Sequence, residues 1–486
     1  MNEKFMKSVE DRKKLLLKKD EILAKAETWR LGTKSKELLK RALEVESLGN
    51  LAFGMFEAPP IIEKAESDAV VYDVDGKAYL DMIAGFAVHN VGHHRSEVLK
   101  AIIEQFNKIV QYAEMLNEVR IKLSEKLVKI VPGNFKKKTF YALTGSEANE
   151  IAIKLARLYT GRPLIMTQWG DYHGRLIGVT GLTHTPQTWA QAYPVPPFDV
   201  CIVRFFFPYC YRCPFGLEYP ECDFSCLQNV EYMLRVKEYH LGDPIKGYSN
   251  VAAMIIEPYQ SAAGYIIPPD EYLPELYKIA KENDILFIVD EIQTGWARTG
   301  KMWAIQHYGN IEPDLFLVAK SIANGLPYAA VIGKAEIMDS WGPGAHSSTF
   351  AGYFLGAAAA LATINIMEEE NMAEQAAKKG EYFLKGLKEL EETHEIVGNV
   401  QGKGLYIGLE FVRNKKTKEP ASQETVWMTM RLLQKGLLVK KAGYFGNRFA
   451  ISPPLTITHE QIDRAIEIFD EVFKEAEQKF GIQKNE

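Results

Sequence analysis

The stretch Ile285-Leu-Phe-Ile-Val-Asp290-Glu-Ile-Gln-Thr-Gly295 decides the fold, because an uninterrupted apolar run ends abruptly on a carboxylate. A short continuous run of aliphatic and aromatic residues reads as a strand buried on both faces, and such strands belong to parallel sheets covered by helices. The same pattern recurs on either side. Leu315-Phe-Leu-Val-Ala319 runs into Lys320, Ala253-Met-Ile-Ile256 into Glu257, and Phe140-Tyr-Ala-Leu143 into Thr144-Gly145-Ser146. Segments with helical spacing lie between the runs, such as Glu147 to Tyr159 and Glu271 to Asn283. Strand and helix in alternation predict an α/β fold, with a large domain whose mostly parallel sheet is covered by helices.

Outside that region the pattern changes. Residues 1 to about 50 read as charged helices with apolar positions at helical spacing: Leu15, Leu16, Ile22, Leu23, Leu38, Leu39 and Leu43. Ala69 to Leu80 alternates around Asp75-Gly76, a hairpin signal. Beyond Glu368 come a long amphipathic helix, a strand from Leu405 to Phe411 and a last helix beginning near Thr458, which reads as a smaller α+β domain. With 486 residues the chain exceeds what one core usually serves. The expected division is 1–94 (helical arm and part of the small domain), 95–345 (large domain) and 346–486 (C-terminal small domain).

Composition excludes several functions. A formal net charge of −5 offers no electrostatic reason for nucleic acid or an anionic membrane as partner. Tyr353 to Met367 is the most apolar long segment, but Thr363 and Asn365 interrupt it, so it reads as a buried helix rather than a membrane span. The charged N-terminus lacks the apolar core of a secretory signal, and the expected location is cytoplasmic. Cys210, Cys213, Cys222 and Cys226 crowd together after Cys201. Their spacing suits a tetrahedral zinc, two disulfides, or a surface insertion with free thiols, and the spacing alone does not choose. No metal is assigned to the chemistry.

Ligands of an open parallel sheet bind at the carboxyl ends of its strands. Four runs here deliver a hydroxyl-bearing turn, two carboxylates and an amine to one such edge. Thr144-Gly145-Ser146 opens a helix, whose unpaired N–H groups and dipole favour a phosphate, although a plain N-cap would look the same. Asp290, buried after an apolar strand, needs a cation or a donor, and a protonated pyridine nitrogen is one such partner. Lys320, desolvated near a cationic ring, would lose its proton more easily and become a nucleophile. The competing reading is a structural Asp290–Lys320 ion pair. Tyr172, in a loop flanked by Gly170 and Gly174, offers a ring to stack on a planar ligand.

From about Pro59 to Ile457 these residues resemble the class III pyridoxal-phosphate aminotransferases, of the aspartate-aminotransferase fold type I. The segments that carry the resemblance are Thr144-Gly-Ser-Glu-Ala-Asn149, Asp171-Tyr-His-Gly174, Ile256-Glu-Pro258, Asp290-Glu-Ile-Gln-Thr-Gly295 with Arg298-Thr-Gly300, Ala319-Lys-Ser321 with Gly325-Leu-Pro327, His346-Ser-Ser-Thr-Phe350, and Ser452-Pro-Pro-Leu-Thr-Ile457. The resemblance implies pyridoxal 5'-phosphate as cofactor, with Lys320 as its covalent anchor and proton shuttle. It implies that Asp290 pairs with the pyridine nitrogen, Gln293 meets the ring hydroxyl, and Tyr172 covers the ring. His173 and Glu257 fall in the same cofactor-binding motifs. Gly145 and Ser146 would bind the phosphate with Thr349 of a neighbouring subunit, which implies a homodimer or a larger assembly. The segment before about residue 95 would join the C-terminal part in the small domain.

Two departures bear on substrate. Many relatives carry an arginine where this chain has Ala450, and a glutamate, its gating partner, where this chain has Ala262. Losing one of an ion pair strands a charge, whereas losing both is tolerable, so the pocket reads as rebuilt to be apolar. Arg448, two residues before Ala450, either reaches the pocket or faces solvent, and solvent is the expectation. The implied activity is a ping-pong transaminase. It takes nitrogen from an amine without an α-carboxylate, such as an omega-amine or arylalkyl amine, and passes it to a keto acid or aldehyde. Amino-acid racemisation or epimerisation, amino-acid transamination and other reactions on the same cofactor share these residues. A non-catalytic binding protein is a further reading, against which the intact lysine, aspartate and phosphate cup speak.

Overall fold

The computed structural model describes residues 19–50, 55–66, 69–183, 201–236, 241–243 and 248–483. Leu15 and Leu16 of the N-terminal arm lie outside them. Its centre is a seven-stranded sheet of β1 (Lys137–Ala142), β2 (Leu164–Gln168), β3 (Ile202–Phe205), β4 (Val251–Ile256), β5 (Leu286–Asp290), β6 (Leu315–Val318) and β7 (Ala329–Lys334). In space the order is β1-β7-β6-β5-β4-β2-β3. All pair in parallel except β7, which runs antiparallel to both its neighbours. The expected mostly parallel α/β sheet is therefore present. Every side chain of β4 and β6 is buried, which accounts for their unbroken apolar sequence.

Helix α1 (Gly145–Thr160) covers one face. Ala148, Ile151, Ala152, Leu155 and Ala156 follow helical spacing and pack on Ala253, Ile255, Leu317 and Val331. On the other face lies the helix Phe354–Glu369, which is apolar nearly all round and buries Ala357, Ala359, Ala360 and Ile364. Among the described residues no helix is long and apolar enough to cross a membrane.

A second sheet contains β8 (Val397–Lys403), β9 (Tyr406–Asn414), β10 (Lys440–Ala442) and β11 (Arg448–Ile451), in the order β8-β9-β11-β10. The two ends of the chain meet beside it. The helices Lys19–Thr28 and Thr33–Val45 bury Ile22, Ala26, Leu39 and Leu43 against Val71, Tyr79, Met430 and Leu433. The strand Ala78–Asp81 pairs in parallel with Leu437–Leu438. Asp75, at the tip of the hairpin, accepts from the backbone N–H groups of Lys34 and Ser35, both at 2.9 Å. It thereby satisfies donors that the first turn of the helix leaves open.

Candidate active site

Because β1, β2, β4, β5 and β6 point the same way, their carboxyl ends bring chemistry to one edge. After β1, Thr144 caps α1 in a capping box: its hydroxyl accepts from Glu147 N (3.3 Å), and Glu147 Oε2 accepts from Thr144 N (3.0 Å). A side chain on Gly145 would come within 2.8 Å of Ile292, and one on Gly174, where φ is +117°, within 2.2 Å of Ser146 Oγ. Both glycines are thus needed for the backbone of this cup to approach closely.

Asp290 ends β5 and is buried with every oxygen engaged. Oδ1 accepts from Ile292 N at 3.0 Å. Oδ2 accepts from Asn149 Nδ2 at 3.0 Å and lies 2.8 Å from His173 Nδ1. Burial opposes charge on His173, but Asp171 and Asp290 outweigh it and push the imidazole up to about 10. Glu257, after β4, accepts from Tyr172 N (2.6 Å) and Ser261 N (3.1 Å). Burial, followed by the negative charge of Asp171, pushes its carboxyl up to about 8.

Lys320 follows β6 in the left-handed region, at φ +48°, a strained conformation for a side chain of that size. Its Nζ donates to Gln293 Oε1 at 2.9 Å, and Gln293 Nε2 donates to the Tyr265 hydroxyl at 2.7 Å. The hydrogen bond of Lys320 is thus to Gln293, and the residues holding Asp290 are Asn149 and His173. Burial lowers the lysine to about 8. Ser146, Tyr172, Asp290, Gln293 and Lys320 line one cavity of about 370 Å³. Thr349 is exposed and lies outside that lining, and its carbonyl accepts from the side-chain amide of Gln111.

One sequence expectation changes. Arg448 neither faces solvent nor enters the cavity. It is wholly buried in an ion pair with Glu410, and it also donates to Gly264 O (2.8 Å) and Tyr209 Oη (3.1 Å). Ala450 and Lys440 are not among the residues that line the cavity. Ala450 lies directly across the β10–β11 ladder from Lys440, and cross-strand partners share a face. The Lys440 ammonium stands 5.2 Å from the Phe86 ring and 5.9 Å from that of Tyr265. It has no hydrogen-bond or ion-pair partner among the described residues. Burial, and then the positive charge of Lys320, push it down to about 7. All five cysteines are unbonded, and Cys210, Cys213, Cys222 and Cys226 line one small cavity away from the strand ends. Among the described residues no three thiol, imidazole or carboxylate groups are gathered to hold a metal.

The sequence reading gave Asn149 and Lys440 no role. Asn149 had a signal, since it lies one helical turn beyond Gly145 and so faces the cup. Lys440 had none, because only strand pairing brings it opposite Ala450.

The donor set fits a planar phosphorylated pyridine carbonyl. A helix N-terminus awaits a dianion, a buried carboxylate awaits a ring cation, and an easily deprotonated amine stands beside both. Comparison with known proteins agrees. The aminotransferase class-III family model matches residues 56–473. A leucine/methionine racemase of Thermococcus litoralis is 36% identical over 86% of this chain and 92% of its own. A 5-aminovalerate aminotransferase of Pseudomonas aeruginosa is 32% identical over 87% and 95%. The crystal structure of a thermostable (S)-enantioselective omega-transaminase from Thermomicrobium roseum superposes with a TM-score of 0.80 at 31% identity, covering 90% of this chain and 98% of that one. The chain therefore belongs to the class-III aminotransferases, pyridoxal-phosphate enzymes of fold type I.

Proposed function

We propose that this chain is a transaminase that takes nitrogen from an amine lacking an α-carboxylate and delivers it to a keto acid whose carboxylate is held by Lys440. The observation that carries the reading is the unpartnered Lys440 ammonium opposite Ala450. A keto acid needs a cationic donor, and the positions where relatives keep their arginine and glutamate hold only alanine. Burial disfavours charge on the Lys440 amine and an arriving carboxylate would favour it, so the amine is available to a keto acid as a charged donor.

Bound pyridoxal phosphate supplies an electron sink for charge developing next to nitrogen. The chain's own residues do the rest. Gly145 and Ser146 present the first-turn N–H groups to the phosphate. Asp290, oriented by Asn149 and His173, holds the proton on the ring nitrogen. Tyr172 would cover one ring face, and Gln293 would meet the ring hydroxyl. Lys320, whose neutral form burial favours, would anchor the cofactor and carry a proton. Leu99, Ile103, Phe106, Met115 and Leu116, between 50% and 75% exposed, form an apolar surface suited to a second copy. In such a dimer the partner would contribute Thr349.

The test follows the two halves separately. Holoenzyme mixed with 1-phenylethylamine and no acceptor should release one equivalent of acetophenone and lose its visible band, and pyruvate should restore the band. Inertness toward the amine, with full response to ornithine or 4-aminobutyrate, would overturn the reading. A second reading, amino-acid racemase or epimerase, is favoured by the Thermococcus relative. It predicts catalytic loss of optical rotation from L-leucine with no keto acid present.

Two further outcomes are expected. Lys440→Met should raise KM for pyruvate by about 10–100-fold, the worth of a charge-assisted hydrogen bond, with the deficit confined to the keto-acid half. Lys320 must be neutral to act as a nucleophile, and its pKa is depressed. The rate of cofactor uptake by the apoenzyme should therefore climb about tenfold per pH unit and level off near pH 8. An unperturbed lysine would keep the rate rising beyond pH 10.

A further inference from the structure

Three ionisable side chains stand in a row that starts at the cavity wall with Asp290 and His173 and runs back to Asp171. Asp171 and His173 belong to one loop, and Asp290 ends β5. His173 Nδ1 is 2.8 Å from Asp290 Oδ2, while His173 Nε2 is 3.5 Å from Asp171 Oδ2. The exposures of Asp171, His173 and Asp290 are 0%, 1% and 4%. Asp171 is itself fixed: Oδ1 accepts from Gln260 Nε2 at 3.1 Å and Oδ2 from Glu257 N at 3.4 Å. Such a carboxylate is costly to bury unless a cation stands beside it. The imidazole stands between these two carboxylates.

We infer that Asp171 is a positioning residue that keeps His173 doubly protonated, and so fixes both the orientation and the charge of Asp290. The inference deepens the proposed function, in that Asp290 serves there as partner of the ring nitrogen. With both imidazole nitrogens carrying protons, Nδ1 can only donate to Asp290, and the tautomer that would turn an acceptor toward it is excluded. The charge balance follows. One imidazolium between two carboxylates leaves a single negative charge to face the ring nitrogen, where two would otherwise crowd in a dry site. The other ionisable group facing His173 is Glu257, at the end of β4, whose own carboxyl is pushed up to about 8 and is therefore largely protonated near neutrality. Burial raises the Asp171 carboxyl as well, and the imidazole, with Nε2 3.5 Å from Asp171 Oδ2, is the main group that opposes that rise.

The decisive measurement is ¹⁵N NMR of histidine-labelled holoenzyme, and its unmodified form already tests the inference. His173 should show both nitrogens protonated up to about pH 9. Titration of wild-type His173 near the ordinary histidine value, about 6.5, would overturn it. In Asp171→Asn the titration should move down by about 1–3 pH units, and the visible band of the bound cofactor should acquire a pH dependence in that range. Asp171→Glu should restore the wild-type profile. A folded Asp171→Asn protein with an unchanged His173 titration and an unchanged spectral profile would make Asp171 a packing residue only. The NMR titration reports on the triad whether or not the chain proves to be a transaminase, so its failure is distinct from failure of the proposed reaction.

Discussion

Lys320→Ala is expected to lower turnover by about 10⁴-fold or more while leaving the protein folded. One amine has two tasks in the proposed site, anchoring the cofactor and carrying a proton, and no other residue can take both. Lys440 is the nearest candidate by chemistry, yet it stands over Phe86 and Tyr265, and the hydrogen bond to Gln293 is made by Lys320. Stability should hold or rise slightly, because the substitution removes an amine that burial already disfavours in its charged form. The checks are turnover with an amine and pyruvate, the thermal midpoint, and the peptide to which borohydride fixes the cofactor. A loss below tenfold, or fixation on another peptide in the wild type, would remove Lys320 from its role. Lys320→Arg should fare no better, since a guanidinium stays protonated at any working pH.

Glu410→Ala is expected to cost about 3–5 kcal/mol of folding stability. Its carboxylate is wholly buried, pairs with Arg448 and Arg212, and accepts from the Tyr209 hydroxyl. Removing it strands the Arg448 guanidinium, which has no route to water. Replacing both partners by apolar side chains, as in Glu410→Leu with Arg448→Met, should recover much of the loss. Denaturant unfolding of the two single variants and the double variant gives the coupling directly. Purely additive losses would mean that the pair is not an interacting unit. The pair also joins the cysteine-bearing segment to the second sheet, through Tyr209 and Arg212. Both single variants should therefore loosen residues 209–226 first, visible as faster reaction of Cys210 and Cys213 with a thiol reagent.

Much of the site was legible along the chain because its residues sit where local rules are strong. An apolar run that stops at Asp290 or reaches Lys320 marks a strand end, and in a parallel sheet strand ends share an edge. Gly145 and Ser146 were legible because a helix start has a chemical signature. Arg448 was misread for a definite reason. An isolated arginine is usually exposed, and nothing near it in sequence announces Glu410, which arrives from the adjacent strand with partners Glu410↔Arg448. Asn149 was visible in its motif, but its bond to Asp290 crosses from a helix to a strand. The cysteine spacing suited zinc or disulfides; the structure brings Cys210, Cys213, Cys222 and Cys226 around one small cavity with their thiols unbonded.

By itself the sequence determined the α/β class and the strand ends at which Asp290 and Lys320 stand, which the fold brings to one cavity. These follow from periodicity and from the cost of burying charge, both of which act over a few residues. Tertiary structure alone decided three further matters: the bond of Lys320 to Gln293, the burial of Arg448 and the placement of Lys440 opposite Ala450. Each depends on which strand lies beside which, and pairing register is set by the packing of whole sheets. The charge on His173 belongs to the same class. Asp171 and His173 are two residues apart, but only the fold brings Asp290 to the other side of the ring, and the two carboxylates together outweigh the burial that opposes the second proton.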